Sequence, residues 1–368
     1  HAQTTAEELS AIDGVDLIVG NAEKHRIPQL LACQTTPPPD LSRPALRCPD
    51  IAHSDRFEAL PSISHGNRTR PFLKIQDGCN DFCTYCIVPY ARGRSRSQSA
   101  DDVLHQIRQL GRLGYREVVL TGIHIGCYGQ DLIPATGLYD LLCRIREDGA
   151  IDRVRISSIE PVELSDDIIK LAASEDDHTG RLCPHFHIPL QSGDDEILRR
   201  MHRPYDGDYF KRLVRGIIER LPDAAIGVDT LIGFPGESDS AFEKTFGMIE
   251  SLPIAYLHVF PFSARRGTPA FHFDDKVPEA QIKTRCRQMR RLGDDKRRAF
   301  YARYVGKTVT VLVEGARNRI DGRLKGLTNN YIPVRFHGSG DSVNTFRRVT
   351  IQCLSADGTP QGVMADSG

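Results

Sequence analysis

The sequence has no net charge, no long apolar run and no cysteine pattern of the kind that staples small secreted domains. Its 48 basic and 48 acidic residues cancel, so no overall field draws it to nucleic acid or to an anionic membrane, and any such attraction must come from local clustering. No stretch approaches the roughly 20 apolar residues of a spanning helix. Residues 1–10 also lack the basic and apolar regions of a secretory signal. A cytoplasmic location with no membrane partner is expected. The ten cysteines are spread over 368 residues with one tight group, which is the pattern of metal or redox chemistry rather than of disulfides. That length exceeds one ordinary core, and 40% hydrophobic content is enough to fold two or three domains.

Residues 1–32 read as the end of a domain, with a helix over 4–12 and an apolar strand over 15–19. Residues 33–71 carry Pro37, Pro38, Pro39, Pro44 and Pro49 among polar residues, the composition of an extended linker. From 72 to 277, short apolar runs alternate with helical periodicity, as in βα units around a parallel sheet. Six strands are expected, at 72–75, 117–121, 153–157, 185–190, 225–232 and 256–260. Each runs into polar or glycine-rich residues, which places the chemistry at their carboxyl ends, and six units imply an α/β partial barrel rather than a closed eight. Residues 278–304 read as one long helix with Pro278 in its first turn. Nine Lys and Arg against two Asp lie between Lys283 and Arg303, so this helix is either an RNA contact or a solvated face. Residues 305–354 switch to period two, with Val309, Val311 and Val313 on one face, and predict a small all-β domain. A disordered tail is expected over 355–368.

Cys79, Cys83 and Cys86 stand in Cys-x3-Cys-x2-Cys spacing directly after the first strand. Three thiolates on one tight loop can hold three irons of a 4Fe-4S cube and leave the fourth open to a cofactor. The amino and carboxylate groups of S-adenosylmethionine (SAM) can chelate an open iron, giving access to radical chemistry that no side chain performs. The competing reading is structural zinc, completed by Cys127 or His124. An aromatic before the last cysteine and five further strand ends bearing polar groups favour the cluster. His187, inside an apolar run, reads as a satisfied core residue.

The stretch from Phe72 through Cys86 to Ser97 resembles the methylthiotransferase family of radical SAM enzymes. Thr121-Gly122-Ile123-His124, Ser157-Ser158-Ile159-Glu160-Pro161, His187-Ile188-Pro189-Leu190-Gln191-Ser192-Gly193 and Gly233-Phe234-Pro235-Gly236-Glu237 agree in order and spacing. The Thr-Gly-Ile-His and Ser-Ser-Ile-Glu-Pro versions are most similar to the branch that methylthiolates threonylcarbamoyladenosine at position 37 of tRNA. The resemblance implies that Tyr85 packs near the SAM adenine, that Thr121 and Gly122 lie along its methionyl part, and that Ser158, Glu160 and Gln191 reach its polar groups or the substrate. It also implies an electron donor such as flavodoxin or ferredoxin, and contact with the anticodon stem-loop of tRNA. The C-terminal β domain, with Gly326 to Tyr331, resembles the family's TRAM RNA-binding barrel. There Arg317, Arg319, Arg323, Lys325, Arg347 and Arg348 would meet phosphates and Tyr331 would stack on a base.

Family members also carry three further N-terminal cysteines that hold a second 4Fe-4S cluster. Those ligands are not in this sequence, and residues 1–32 resemble only the last helix and strand of that domain. Cys33 and Cys48 lie outside the motif and read as non-ligands. Other substrates, isopentenyladenosine in tRNA or a ribosomal-protein aspartate, and an RNA-binding protein with a structural metal are the alternatives.

Overall fold

The computed structural model describes residues 2–32, 44–54, 56–58, 68–174, 180–315, 317 and 321–365. Cys33, Arg319 and much of the expected linker lie outside them. None of the described helices is long and apolar enough to cross a membrane.

The N-terminal segment holds α1 (Ala6–Ser10), β1 (Leu17–Val19), α2 (Ile27–Ala32) and β2 (Ala45–Arg47). β2 pairs with β1 in parallel, Leu17 opposite Ala45 and Val19 opposite Arg47. The first unit therefore does not end at residue 32, and a 3-10 turn at Ile51–His53 shows that the linker is not wholly extended. Between Pro44 and Pro49, the four residues Ala45 to Cys48 keep their N–H groups, and three of them are enough to pair with the edge of β1.

The next region runs β3 (Phe72–Lys74), β4 (Gln76–Asp77), α3 (Val88–Arg92), β5 (Arg96–Ser97), α4 (Ala100–Arg112), β6 (Glu117–Thr121), α5 (Leu138–Asp148), β7 (Arg153–Ile156), α6 (Asp166–Ala173), β8 (Arg181–Leu182), β9 (His185–His187), α7 (Asp195–Arg200), α8 (Gly207–Arg220), β10 (Ala225–Ile232), α9 (Asp239–Ser251) and β11 (Tyr256–Pro261). Helix α4 shows how the sequence sets these units. The Ser99 hydroxyl caps it by accepting from the Asp102 N–H, and Val103, Leu104, Ile107 and Leu110 form one buried stripe.

The strands form two parallel sheets, β3-β6-β7-β8 and β11-β10-β9. β8 and β9 are halves of one run broken at Cys183-Pro184, one half pairing with β7 and the other with β10. Together they make a six-position parallel arc. β8 was not expected, and the run predicted over 185–190 stops at His187, because Pro189 has no N–H and Gln191 turns left-handed at φ 64. Val118, Leu120, Val154, Ile156, Phe186, Ile226 and Val228 face the helices in the main core. The alternate positions, including Glu117, Arg155, His187, Asp229, Tyr256 and His258, line the inside of the arc.

Helix α10 (Glu279–Ala302) leads to β12 (Thr308–Val313), β13 (Leu324–Thr328), β14 (Pro333–Phe336), β15 (Phe346–Leu354) and β16 (Pro360–Met364), a closed barrel in the order β12-β13-β14-β16-β15. The tail expected to be disordered is thus the closing strand as far as Met364, pairing with β15 on one side and β14 on the other. Its polar residues form a turn: Gly358 has φ 80, and Asp357 Oδ1 accepts from Ser355 Oγ and the Thr359 N–H. Pro278 precedes α10 as its cap rather than lying in its first turn. Most of the helix's basic residues are tied within the chain. Arg285 is buried against Glu237 and Asp239, Arg297 pairs with Asp294, Lys296 donates to Leu252 O, Arg298 to Ala356 O and Arg303 to Pro222 O. The helix reads as a brace more than as an RNA face.

The barrel docks on the arc through the turn after β13. Arg155 donates from Nε to the fully buried Glu117 at 3.0 Å, and from its other nitrogens to the carbonyls of Asn329 at 2.9 Å and Thr328 at 3.2 Å. Tyr331, at φ 69, stacks on His185 with centroids 4.3 Å apart. The ring expected to stack on RNA is therefore packed within the chain, against His185, Tyr256 and the Arg155 guanidinium.

Candidate active site

The three thiols sit on the loop between β4 and β5, whose two residue pairs, Gln76 with Ser97 and Asp77 with Arg96, pin its ends. Gly78 has φ 76 and lies so close to Arg94 that a Cβ would come within 1.9 Å of its carbonyl oxygen, so only glycine fits before Cys79. The Cys79 N–H donates to Gly93 O at 3.1 Å, the Ser95 N–H to Asn80 Oδ1 at 3.1 Å, and Thr84 Oγ1 to Arg200 O at 2.8 Å. Gln76 is the hub beneath the loop. Its Nε2 donates to Gly78 O and Ser95 Oγ, and its Oε1 accepts from the His124 N–H. Gly122 leaves room for this amide, since a Cβ there would lie 2.8 Å from Gln76 Oε1. The buried Asp77 carboxylate faces Lys74 at 3.0 Å, Arg92 at 3.3 Å and Lys24 at 3.6 Å. Burial alone would raise its pKa, but the three cations outweigh that and lower it.

Cys83 is buried, and Cys79 and Cys86 are half-buried. Burial pushes the Cys86 thiol up to about 11 and raises Cys83 as well, with Arg203 opposing. Arg203, which sequence reasoning missed, links the site. It reaches Cys83 Sγ at 3.5 Å and Tyr205 Oη at 3.1 Å, and pairs with Glu160. Burial raises the Glu160 pKa against the pull of Arg203. On the other side of the loop, His124 lies 3.4 Å from Cys79 Sγ and 2.5 Å from Glu163. Burial would lower its pKa, and its bonds to Cys127, Cys79 and Glu163 raise it instead. Gly126 is required for this, because a Cβ there would meet Glu163 at 1.9 Å.

Of the other expected site residues, Tyr85 packs edge-on against Phe234 with centroids 6.5 Å apart, and burial raises its phenol pKa. Thr121 ends β6, Ser158 is exposed just beyond β7, and Gln191 sits in its left-handed turn beside Thr230. Arg203 brings Cys83 and Glu160 together. The side chains of Thr121, Ser158 and Gln191 make no described contact with the thiols. Gly122 has a packing reason of its own.

The donor set fits a cluster better than a single ion. A tetrahedral ion needs sulfurs within about 4 Å of one another, and the three thiols are not among the described groups whose ligand atoms all lie within 4.8 Å. Thiolates on separate corners of a cube stand further apart. His124 does fall within that distance of Cys79 with Asp81, and separately of Cys127 with Glu163.

The pattern of the radical SAM superfamily matches residues 73–249. The chain is 35% identical to the threonylcarbamoyladenosine tRNA methylthiotransferase MtaB of Aquifex aeolicus, over 92% of this chain and 78% of that protein. It is 34% identical to the protein of the same name from Bacillus subtilis, over 95% and 76%. It is also 35% identical to a tRNA-2-methylthio-N(6)-dimethylallyladenosine synthase of Clostridium botulinum, over 92% and 73%. The superfamily implies a 4Fe-4S cluster and SAM, in agreement with three thiols on one loop. With such identity sustained over more than nine-tenths of its length, the chain belongs to the radical SAM methylthiotransferase family.

Proposed function

We propose that the chain adds a methylthio group to C2 of N6-threonylcarbamoyladenosine at position 37 of tRNA. Its cluster is held by Cys79, Cys83 and Cys86. When bound, the cluster supplies the electron that cleaves SAM into methionine and a 5′-deoxyadenosyl radical. The chain's own part is to bind and orient. Arg203, braced by Tyr205 and Glu160, sets a fixed guanidinium beside Cys83 where the SAM carboxylate can pair with it. Glu160 is placed to accept from the SAM ammonium or a ribose hydroxyl. Thr121, Ser158 and Gln191, at three successive strand ends, and the apolar wall of Tyr85 and Phe234 would complete the cofactor's seat.

In this reading residues 72–277 are the catalytic unit, α10 connects, and the barrel from residue 305 onward is a TRAM-like RNA-binding domain. An electron donor of the flavodoxin or ferredoxin type and a cytoplasmic setting go with it. The observation that carries the substrate is the identity to two relatives named for threonylcarbamoyladenosine. Equal identity to relatives named for dimethylallyladenosine favours that nucleoside as the second reading. Mass spectrometry of tRNA nucleosides from cells lacking the gene decides between them. Methylthio-threonylcarbamoyladenosine should disappear while methylthio-dimethylallyladenosine stays.

A further inference from the structure

The inner wall of the arc below the cysteine loop is polar, and none of the roles above uses it. His187 Nε2 lies 2.7 Å from Asp229 Oδ1, and His258 Nδ1 lies 3.3 Å from the same oxygen. The Tyr256 hydroxyl sits between His185 Nε2 at 2.8 Å and His187 Nδ1 at 3.1 Å. The chain of contacts therefore runs from the buried His185 to His258, which is exposed. Among the described residues, Asp229 Oδ2 and His258 Nε2 have no partner. Ser157, the residue just after β7, has a shielded hydroxyl that is also without one. Phe260 and the barrel's Tyr331 flank this wall with half-exposed rings. Tyr331 holds its place at a left-handed φ of 69, a conformation that costs a tyrosine free energy and persists only where the surroundings impose it.

We infer that this wall, Ser157, His187, Asp229, His258 and Tyr331, receives the N6 substituent of the target adenosine and selects a polar one. The inference rests on the reading that the substrate is an N6-modified adenosine in tRNA. A threonylcarbamoyl group offers N–H donors to Asp229, and a carbonyl, a hydroxyl and a carboxylate to the imidazoles and the Ser157 hydroxyl. A dimethylallyl group offers none of these. Seated here, it would strip water from Asp229, His258 and Ser157 and return no hydrogen bond, which is the situation in which a site rejects an analogue strongly. The rings suit either group, so discrimination comes from the polar atoms. Tyr331 makes the C-terminal barrel part of the pocket as well as a holder of RNA.

Fluorescence anisotropy with three anticodon stem-loop RNAs, unmodified, threonylcarbamoylated and dimethylallylated at the target adenosine, tests this without turnover. The wild-type protein should bind the threonylcarbamoyl RNA at least about tenfold tighter than the dimethylallyl RNA. His258→Phe and Asp229→Asn should each bring that ratio to within about threefold of one, with affinity for the unmodified RNA unchanged within about twofold. His258→Gln, which keeps a polar atom, should retain part of the preference and serves if the phenylalanine variant does not fold. A wild-type preference that survives all three substitutions, or the absence of any preference in the wild type, overturns the inference and leaves the proposed activity standing. A wild-type preference for the dimethylallyl RNA overturns the proposed substrate itself.

Discussion

Two arginine–glutamate pairs stand at opposite ends of the same sheet and do different work. At the barrel end, Arg155 and Glu117 are both almost fully buried, and the carbonyls of Thr328 and Asn329 each accept from one of the other two guanidinium nitrogens. At the cysteine end, Arg203 is equally buried, but Glu160 keeps a fifth of its side-chain surface open and the Cys83 thiol is the guanidinium's third neighbour. The chemical pair is the same, and what completes its hydrogen bonding decides its role. Where the chain's own backbone finishes the shell, the pair is structural. Where the shell is left to a thiol and open space, it is available to a ligand.

The strongest way to sharpen this contrast is at the thiols. Alanine at any one of Cys79, Cys83 or Cys86 should abolish 5′-deoxyadenosine formation from SAM, read by chromatography beside the iron content of anaerobically reconstituted protein. A triple variant that held wild-type iron would refute the ligand assignment. Next, Arg155→Ala should cost about 3–5 kcal/mol of stability in denaturant unfolding, because it removes the hydrogen bond to the buried Glu117 carboxylate and leaves it only the longer ion pairs to Arg70 at 3.9 Å and Arg153 at 4.0 Å. Arg203→Ala should cost only about 1–2 kcal/mol, since Glu160 can reach water, yet lower SAM cleavage at matched iron at least about tenfold, a charge-assisted bond being worth that much. Equal stability losses for the two arginines would break the comparison. The smallest effect is expected at the exposed Arg348 on β15. Its alanine variant should weaken tRNA binding a few-fold and reduce the salt slope by about one, with SAM cleavage unchanged.

The cysteine loop and the strands were legible because spacing and apolar runs carry them directly. Their boundaries moved by a residue or a few where proline or a left-handed turn intervened. Arg203 carried no signal: it follows the short helix α7 in a basic, aperiodic stretch, and it is the left-handed His202 at φ 64 that precedes its entry to the site. Gln76 was hidden beside the more conspicuous Asp77. Its role depends on the space left by Gly122, forty-six positions away in sequence. The reading of His187 as a satisfied residue holds as far as its two ring nitrogens go, and satisfaction did not exclude a place on the inner wall. Strand β16 was lost because Gly, Asp, Ser and Pro are shared by disordered tails and tight turns, and only pairing with β14 and β15 separates the two. A truncation at Val305, just before the barrel, would remove the carbonyls that accept from Arg155 and so disturb the arc itself.

The interior of the barrel is continuous with the sheet it rests on. Ala225 and Ala255 at the starts of two strands, and Phe300 and Tyr304 at the end of α10 and just beyond it, belong to the same apolar cluster as Val311, Val313, Leu324, Val334, Phe336, Val349 and Ile351 of the barrel. A shared interior couples melting. Loosening either part exposes apolar surface of the other, so the arc and the barrel lose order in one cooperative heat-absorption peak rather than in two. By mass action, a ligand that grips either part raises the temperature of that common transition, and one held by the barrel steadies the cysteine-bearing end without touching it.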